Sequence, residues 1–182
     1  MSGCAQSREP EAVIEFEDGG KIVIRLYPDA APESVKNFIS LVRDNFYDGL
    51  TFHRIYPGFM IQGGDPNGDG SGGPGYTIKG EFSKNGVNND IKHTRGIVSM
   101  ARSSKYDSAG SQFFIMVDSA PHLDGDYAAF GEVIEGIDVV DRIVGGKRTG
   151  VNNDIAVNPA VMKKVTVDTF GKNYDEPVRL TK

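Results

Sequence analysis

The chain has 182 residues, about one domain's worth, and its 38% apolar and 9% aromatic content excludes a disordered polypeptide. Lys and Arg number 20 against 25 Asp and Glu, for a net charge of −5, and no five of the basic residues cluster, so a nucleic-acid partner has no electrostatic footprint. No apolar run approaches the ~18 residues of a membrane span, the single Cys4 excludes an internal disulfide, and His53, His93 and His122 do not combine with it at a zinc-ligand spacing.

The first residues, Met1 to Pro10, lack the apolar stretch of a signal peptide and read as part of a flexible leader over 1–11, which makes a cytoplasmic location the expectation. The alternative is a bacterial lipoprotein with its signal removed, because Ser2-Gly3-Cys4 before a polar stretch resembles the end of such a signal. Ala12–Phe16 and Lys21–Tyr27 are β-branched runs around Glu17-Asp18-Gly19-Gly20, the pattern of a hairpin. Pro32 then suits a first helical turn, and Val35, Phe38, Ile39, Val42 and Phe46 form one apolar stripe that ends before Gly49. Short apolar runs follow at Phe52–Ile55, Phe59–Gln62, Ile97–Ala101, Phe113–Val117, Ala128–Ile134 and Val161–Phe170, and a second helix fits Ile137–Val144 with Gly145 as its stop. Glycine, at 23 of 182 residues or about 13% against a usual ~7%, supplies the turns between them. About eight strands and two helices predict a mainly β fold, a closed eight-stranded antiparallel barrel capped by two α-helices, over 12–170, with a C-terminal tail over 171–182. Gly86-Val87-Asn88-Asn89-Asp90-Ile91 recurs verbatim as residues 150–155, and both copies read as Asn-rich turns.

The loop Gly63–Gly75 holds seven glycines in thirteen residues and half-matches three functional patterns. Gly68, Gly70 and Gly73 satisfy G-x-G-x-x-G, but Pro74-Gly75 follows where a phosphate-binding helix should begin. Asp65, Asn67, Asp69 and Gly70 fit the first half of an EF-hand loop, whose twelfth position is Tyr76 instead of Glu. Ser71 between glycines resembles the nucleophile loop of chymotrypsin-like proteases with one residue inserted, and His53 with Asp65 or Asp48 would have to serve as base and orienter. Each pattern lacks its decisive element.

A longer series is more specific: Phe52-His53-Arg54-Ile55, Phe59-Met60-Ile61-Gln62-Gly63-Gly64-Asp65, Gly96-Ile97-Val98-Ser99-Met100-Ala101, Gly110-Ser111-Gln112-Phe113-Phe114-Ile115, and Leu123-Asp124-Gly125 before Phe130-Gly131. In this order they resemble the cyclophilin family of peptidyl-prolyl isomerases from about Ala12 to Val167. The resemblance implies an eight-stranded barrel with two helices, no cofactor, no metal, and a monomer acting on proline-containing polypeptides to assist folding. It implies Arg54 as the catalytic cation and Phe59, Met60, Phe114 and Leu123 as the proline pocket. Gln62, Ala101 and Gln112 would lie beside the substrate backbone, with Tyr127 at the rim. His122 stands where the best-known eukaryotic members carry Trp, which implies reduced affinity for cyclosporin, and Tyr127 where they carry His, while Met100-Ala101-Arg102-Ser103 with the shortened turns resembles bacterial-type cyclophilins. A binding module for proline segments and a serine hydrolase at Ser71 are the competing classes.

Overall fold

A computed structural model describes residues 8–181. Cys4, on which the lipoprotein reading turns, lies outside the described residues. All eight expected strands are present: β1 (Glu11–Phe16), β2 (Lys21–Leu26), β3 (Arg54–Tyr56), β4 (Met60–Gly63), β5 (Ile97–Met100), β6 (Phe113–Met116), β7 (Ala129–Glu135) and, last in the chain, β10 (Met162–Asp168). Two further strands, β8 (Arg148–Thr149) and β9 (Ile155–Ala156), flank the segment read as an Asn-rich turn, which is a turn over residues 150–153. The strands form one antiparallel sheet in the order β10-β1-β2-β7-β5-β6-β4-β3-β9-β8.

The expectation of a closed eight-stranded barrel is not met by the hydrogen bonding: among the described residues there are ten strands, and the ladder has two ends, β10 and β8. The cause lies at β3, whose outer edge is taken by β9 through the pairing of Arg54 with Ile155, so that β10 cannot add there. Only the segment just before β3 reaches β10, through the bridge of Thr51 with Val161 and the bonds from Phe52 N to Ala160 O (3.0 Å) and from Met162 N to Leu50 O (2.8 Å).

Helix α1 (Pro32–Arg43) starts at the predicted proline and buries Val35, Phe38, Ile39 and Val42. It stops short of the full apolar stripe, because Asn45 turns left-handed (φ 55°) and Phe46 falls in the following turn. Helix α2 (Ile137–Val144) has the predicted bounds and buries Val139, Val140, Ile143 and Val144. No helix among the described residues is long and apolar enough to cross a membrane.

Side-chain alternation along the central strands creates two apolar clusters. Ile61, Val98, Phe113, Ile115 and Phe130 point into the main core, where Phe113 meets Phe38, Tyr47 and Phe52 edge-on. Their neighbours Met60, Ile97, Phe114, Met116 and Ala129 point the other way and form a second cluster with Leu123. This explains why β6, Phe-Phe-Ile-Met, reads as a continuous apolar run: both of its faces are buried.

Candidate active site

The second cluster is the floor of a cavity of about 260 Å³. Phe59, Met60, Phe114 and Leu123 supply its apolar surface, Tyr127 and Ala101 its sides, and Arg54 with Gln62 a polar edge. Strand register brings them together, since Arg54 pairs with Gln62 across β3 and β4, Gln62 with Phe114 across β4 and β6, and Phe114 with Ser99 on β5. Residues directly opposite on one face lie within side-chain reach. A row of four side chains from four strands thus runs from cation to amide to aromatic ring to hydroxyl.

The polar edge is itself a hydrogen-bonded series. Arg54 Nη1 donates to Gln62 Oε1 at 3.4 Å, Gln62 Nε2 to Gln112 Oε1 at 2.9 Å, and Gln112 Nε2 to the carbonyls of Gly70 (3.0 Å) and Gly72 (2.9 Å). Arg54 Nε donates to Asp154 Oδ2 at 2.7 Å, while Nη2 has no acceptor among the described residues. Gln112 does not line the smaller cavity; it lines an adjoining one of about 590 Å³ that shares Gln62 and Ala101 with it.

Behind the floor, His93 stacks on Phe114 with ring centres 6.1 Å apart, and Tyr127 meets Phe114 edge-on at 5.8 Å. The His93 ring is buried, with Nδ1 3.2 Å from Asp124 Oδ1 and Nε2 3.0 Å from Ser99 Oγ. Burial pushes its pKa down, more strongly than the Asp124 carboxylate holds it up. His53, beside Arg54 in sequence, is also buried and pushed down, first by burial, and its Nδ1 has no partner among the described residues. His122 is exposed and stacks on Phe59 with ring centres 5.8 Å apart, beside a wall of the cavity without lining it.

Two residues of the site escaped the reading of the sequence. Arg102 lines both cavities, its guanidinium 4.6 Å from the Tyr127 ring centre and donating through Nε and Nη2 to the Asp126 carbonyl (3.0 and 2.9 Å). Only its place beside Ala101 hinted at a role. The other is Asp154, 100 residues from its arginine. The glycine loop serves none of the three patterns it half-matches. Asp65 turns its carboxylate back onto the loop's own Asn67, Asp69 and Gly70 amides, and the Ser71 hydroxyl is taken up by Asp69 at 2.6 Å and Asn67 at 3.1 Å, without an imidazole.

An apolar basin lined by two oriented guanidinium groups, Arg54 and Arg102, with no serine, cysteine or lysine among its lining residues, suits a reaction that needs neither covalent chemistry nor proton transfer. Residues 12–167 match the family of cyclophilin type peptidyl-prolyl cis-trans isomerases. Among curated relatives, peptidyl-prolyl cis-trans isomerase B of Bacillus subtilis is 50% identical over 131 residues, 72% of this chain and 88% of its own length. A peptidyl-prolyl cis-trans isomerase of Synechococcus elongatus is 45% identical over 140 residues, 76% of this chain and 91% of its own. A crystal structure of a Cryptosporidium parvum cyclophilin type isomerase, in the presence of the dipeptide Ala-Pro, superimposes with a TM-score of 0.77 at 30% identity, covering 87% of this chain and 98% of that one. The chain belongs to the cyclophilin-type peptidyl-prolyl cis-trans isomerases. It is an isomerase of X–Pro peptide bonds, with assistance to folding as the general role of its class.

Proposed function

We propose that the smaller cavity receives the proline ring of a polypeptide substrate and that Arg54 lowers the barrier to rotation of the preceding peptide bond. Rotation costs ~18–20 kcal/mol because amide resonance is lost, and unassisted it takes tens to hundreds of seconds. At the twisted transition state the imide nitrogen gains a lone pair that the planar ground state lacks. A donor aimed at that nitrogen therefore binds the transition state selectively. The observation that carries this reading is the position of Arg54, held through Nε and Nη1 at the edge of the Phe59, Met60 and Phe114 basin with Nη2 unengaged among the described residues. A charge-assisted hydrogen bond of ~1.5–3 kcal/mol gives roughly 10- to 150-fold, and apolar walls that hold the ring while the acyl side swings supply more. Gln62 and Ala101, shared by the two cavities, and Gln112, in the larger one, would then face the chain that leads to the proline. Binding of a proline ring alone would not need the cation, which favours an enzyme over a passive binding module. Cyclosporin is expected to bind the same basin, with affinity reduced by His122.

The test is a protease-coupled isomerisation assay on a short Pro peptide. Arg54→Ala should lower kcat/KM at least tenfold while peptide affinity holds, because the lost interaction belongs to the transition state. Full activity in Arg54→Ala would overturn the role given to this residue.

A further inference from the structure

We infer that Asp154 is a positioning residue for Arg54, delivered by the hairpin that carries the second copy of the repeated hexapeptide; this rests on the reading of Arg54 given above. The two copies are identical in sequence and differ in which residue they bury. In residues 86–91 the buried polar side chain is Asn89, whose amide donates to the carbonyls of Glu81 and Ala129 (both 2.9 Å), and Asp90 is exposed. In residues 150–155 Asn153 is exposed in a left-handed turn (φ 52°), and the next residue, Asp154, is buried. The hexapeptide does not choose between these phases, so its surroundings must. Around the second copy the chain is clamped to β3 on both sides of Arg54: Ile55 N donates to Asp154 O at 2.8 Å, and Ala156 N to His53 O at 3.0 Å. With Arg54 paired to Ile155, that clamp puts the Asp154 carboxylate on the guanidinium.

The consequence is geometric. Arginine has a long flexible stem, and the Arg54 side chain is 39% exposed, so little packing holds it. Its contact with Gln62, at 3.4 Å, is long for a hydrogen bond. The 2.7 Å bond from Nε to a carboxylate that is itself 10% exposed is the short one, and it fixes the plane of the guanidinium fork. Fixing Nε fixes the direction of Nη2. The carboxylate also subtracts positive potential, but a neutral imide nitrogen needs a donor in the right place more than it needs a field. Orientation and charge therefore make opposite predictions for substitution at this position.

Three variants separate them in the isomerase assay. Asp154→Ala should lower kcat/KM about 5- to 30-fold, mainly in kcat, as expected when a catalytic group is released from a fixed geometry. Asp154→Asn keeps an acceptor in place without the charge and should recover to within about threefold of wild type. Asp154→Glu keeps the charge and shifts the acceptor by one methylene, and it should fall below Asp154→Asn. That ordering is readable even if Asp154→Ala folds poorly. In an Arg54→Ala background Asp154→Ala should cause no further loss, and the Arg54 Nε–H resonance should shift in Asp154→Ala. Wild-type activity in Asp154→Ala, an equal loss in the Arg54→Ala background, or Asp154→Glu outperforming Asp154→Asn would each overturn the inference. Full activity in Arg54→Ala would instead remove the reading of Arg54 on which it rests.

Discussion

His122 stands beside the candidate site without lining its cavity. It stacks on Phe59, which lines the smaller cavity. Catalysis in the proposed mechanism depends on the cation at the opposite edge, so a larger ring at position 122 should leave turnover nearly unchanged. A bulky cyclic peptide reaching beyond the basin would gain apolar contact and, with an indole, a hydrogen-bond donor, together ~1–3 kcal/mol or roughly 5- to 150-fold. His122→Trp should thus bind cyclosporin more tightly by that factor while kcat/KM changes less than about twofold. The check is a titration of both proteins with the drug in one isomerase assay, and equal inhibition constants would show that this position does not govern sensitivity. Most of the site was legible because its residues sit in continuous motifs, from Phe52-His53-Arg54 to Gln112-Phe113-Phe114. Asp154 was not, since an ion pair between residues far apart in sequence leaves no local pattern, and neither the period nor the composition of Asn152-Asn153-Asp154 distinguishes it from any solvated turn.

Helix α1 carries a second stripe that its apolar period hides. Ser34, Asn37 and Ser40, spaced three apart on one face, are buried. Each holds a segment outside the sheet: Asn37 Nδ2 donates to the Gly110 carbonyl at 2.7 Å, just ahead of Gln112, and Ser40 Oγ to Glu176 at 2.8 Å. Ser34 bonds Glu81 through its hydroxyl and its amide, both at 2.7 Å, and the Glu33 amide adds a bond at 2.9 Å. The N-cap position is Ala31, which has no side-chain acceptor, so Glu81 caps the helix from 48 residues away. Burial pushes the Glu81 carboxyl up, against the hydrogen bonds that hold it down. Glu81→Ala leaves two backbone donors and a hydroxyl without acceptors and should cost about 1–3 kcal/mol, roughly 2–12 °C in thermal midpoint for a chain of this size. An unchanged midpoint would mean that water satisfies the helix start. Periodicity located every long element, because strand alternation and the helical stripe survive in sequence, but β8 and β9 span two residues each and are too short to show a period.

For the whole molecule, the two apolar clusters share the same strands, so the smaller cavity cannot loosen without the core beneath it. The imidazoles of His53 and His93 lie at that junction, one next to Arg54 and one stacked on Phe114, and both are held neutral chiefly by burial. The nearby carboxylates, Asp65 for the first and Asp124 for the second, raise them only partly, while Arg54 and His122 respectively push them further down. An unfolded histidine takes its proton near pH ~6.5. The folded protein takes it at lower pH, so in between the unfolded state binds more protons and stability rises with pH. The contribution is complete above about pH 6.5 and is lost as the pH falls from there through the folded values. Glu81 works in the opposite direction: its raised pKa adds stability as the pH falls toward the ordinary carboxylate range. The measurement is therefore a difference, the urea midpoint between pH 7.5 and 5 for wild type and for His53→Gln. His53 is the better probe, since its Nδ1 has no partner among the described residues to be broken by the substitution. The variant should show a smaller acid loss than wild type, with the curves converging as the pH drops below 6.5. If His53→Gln keeps the wild-type slope across that window, burial of this imidazole does not set the acid sensitivity, and the loss there falls to the other buried imidazole, His93.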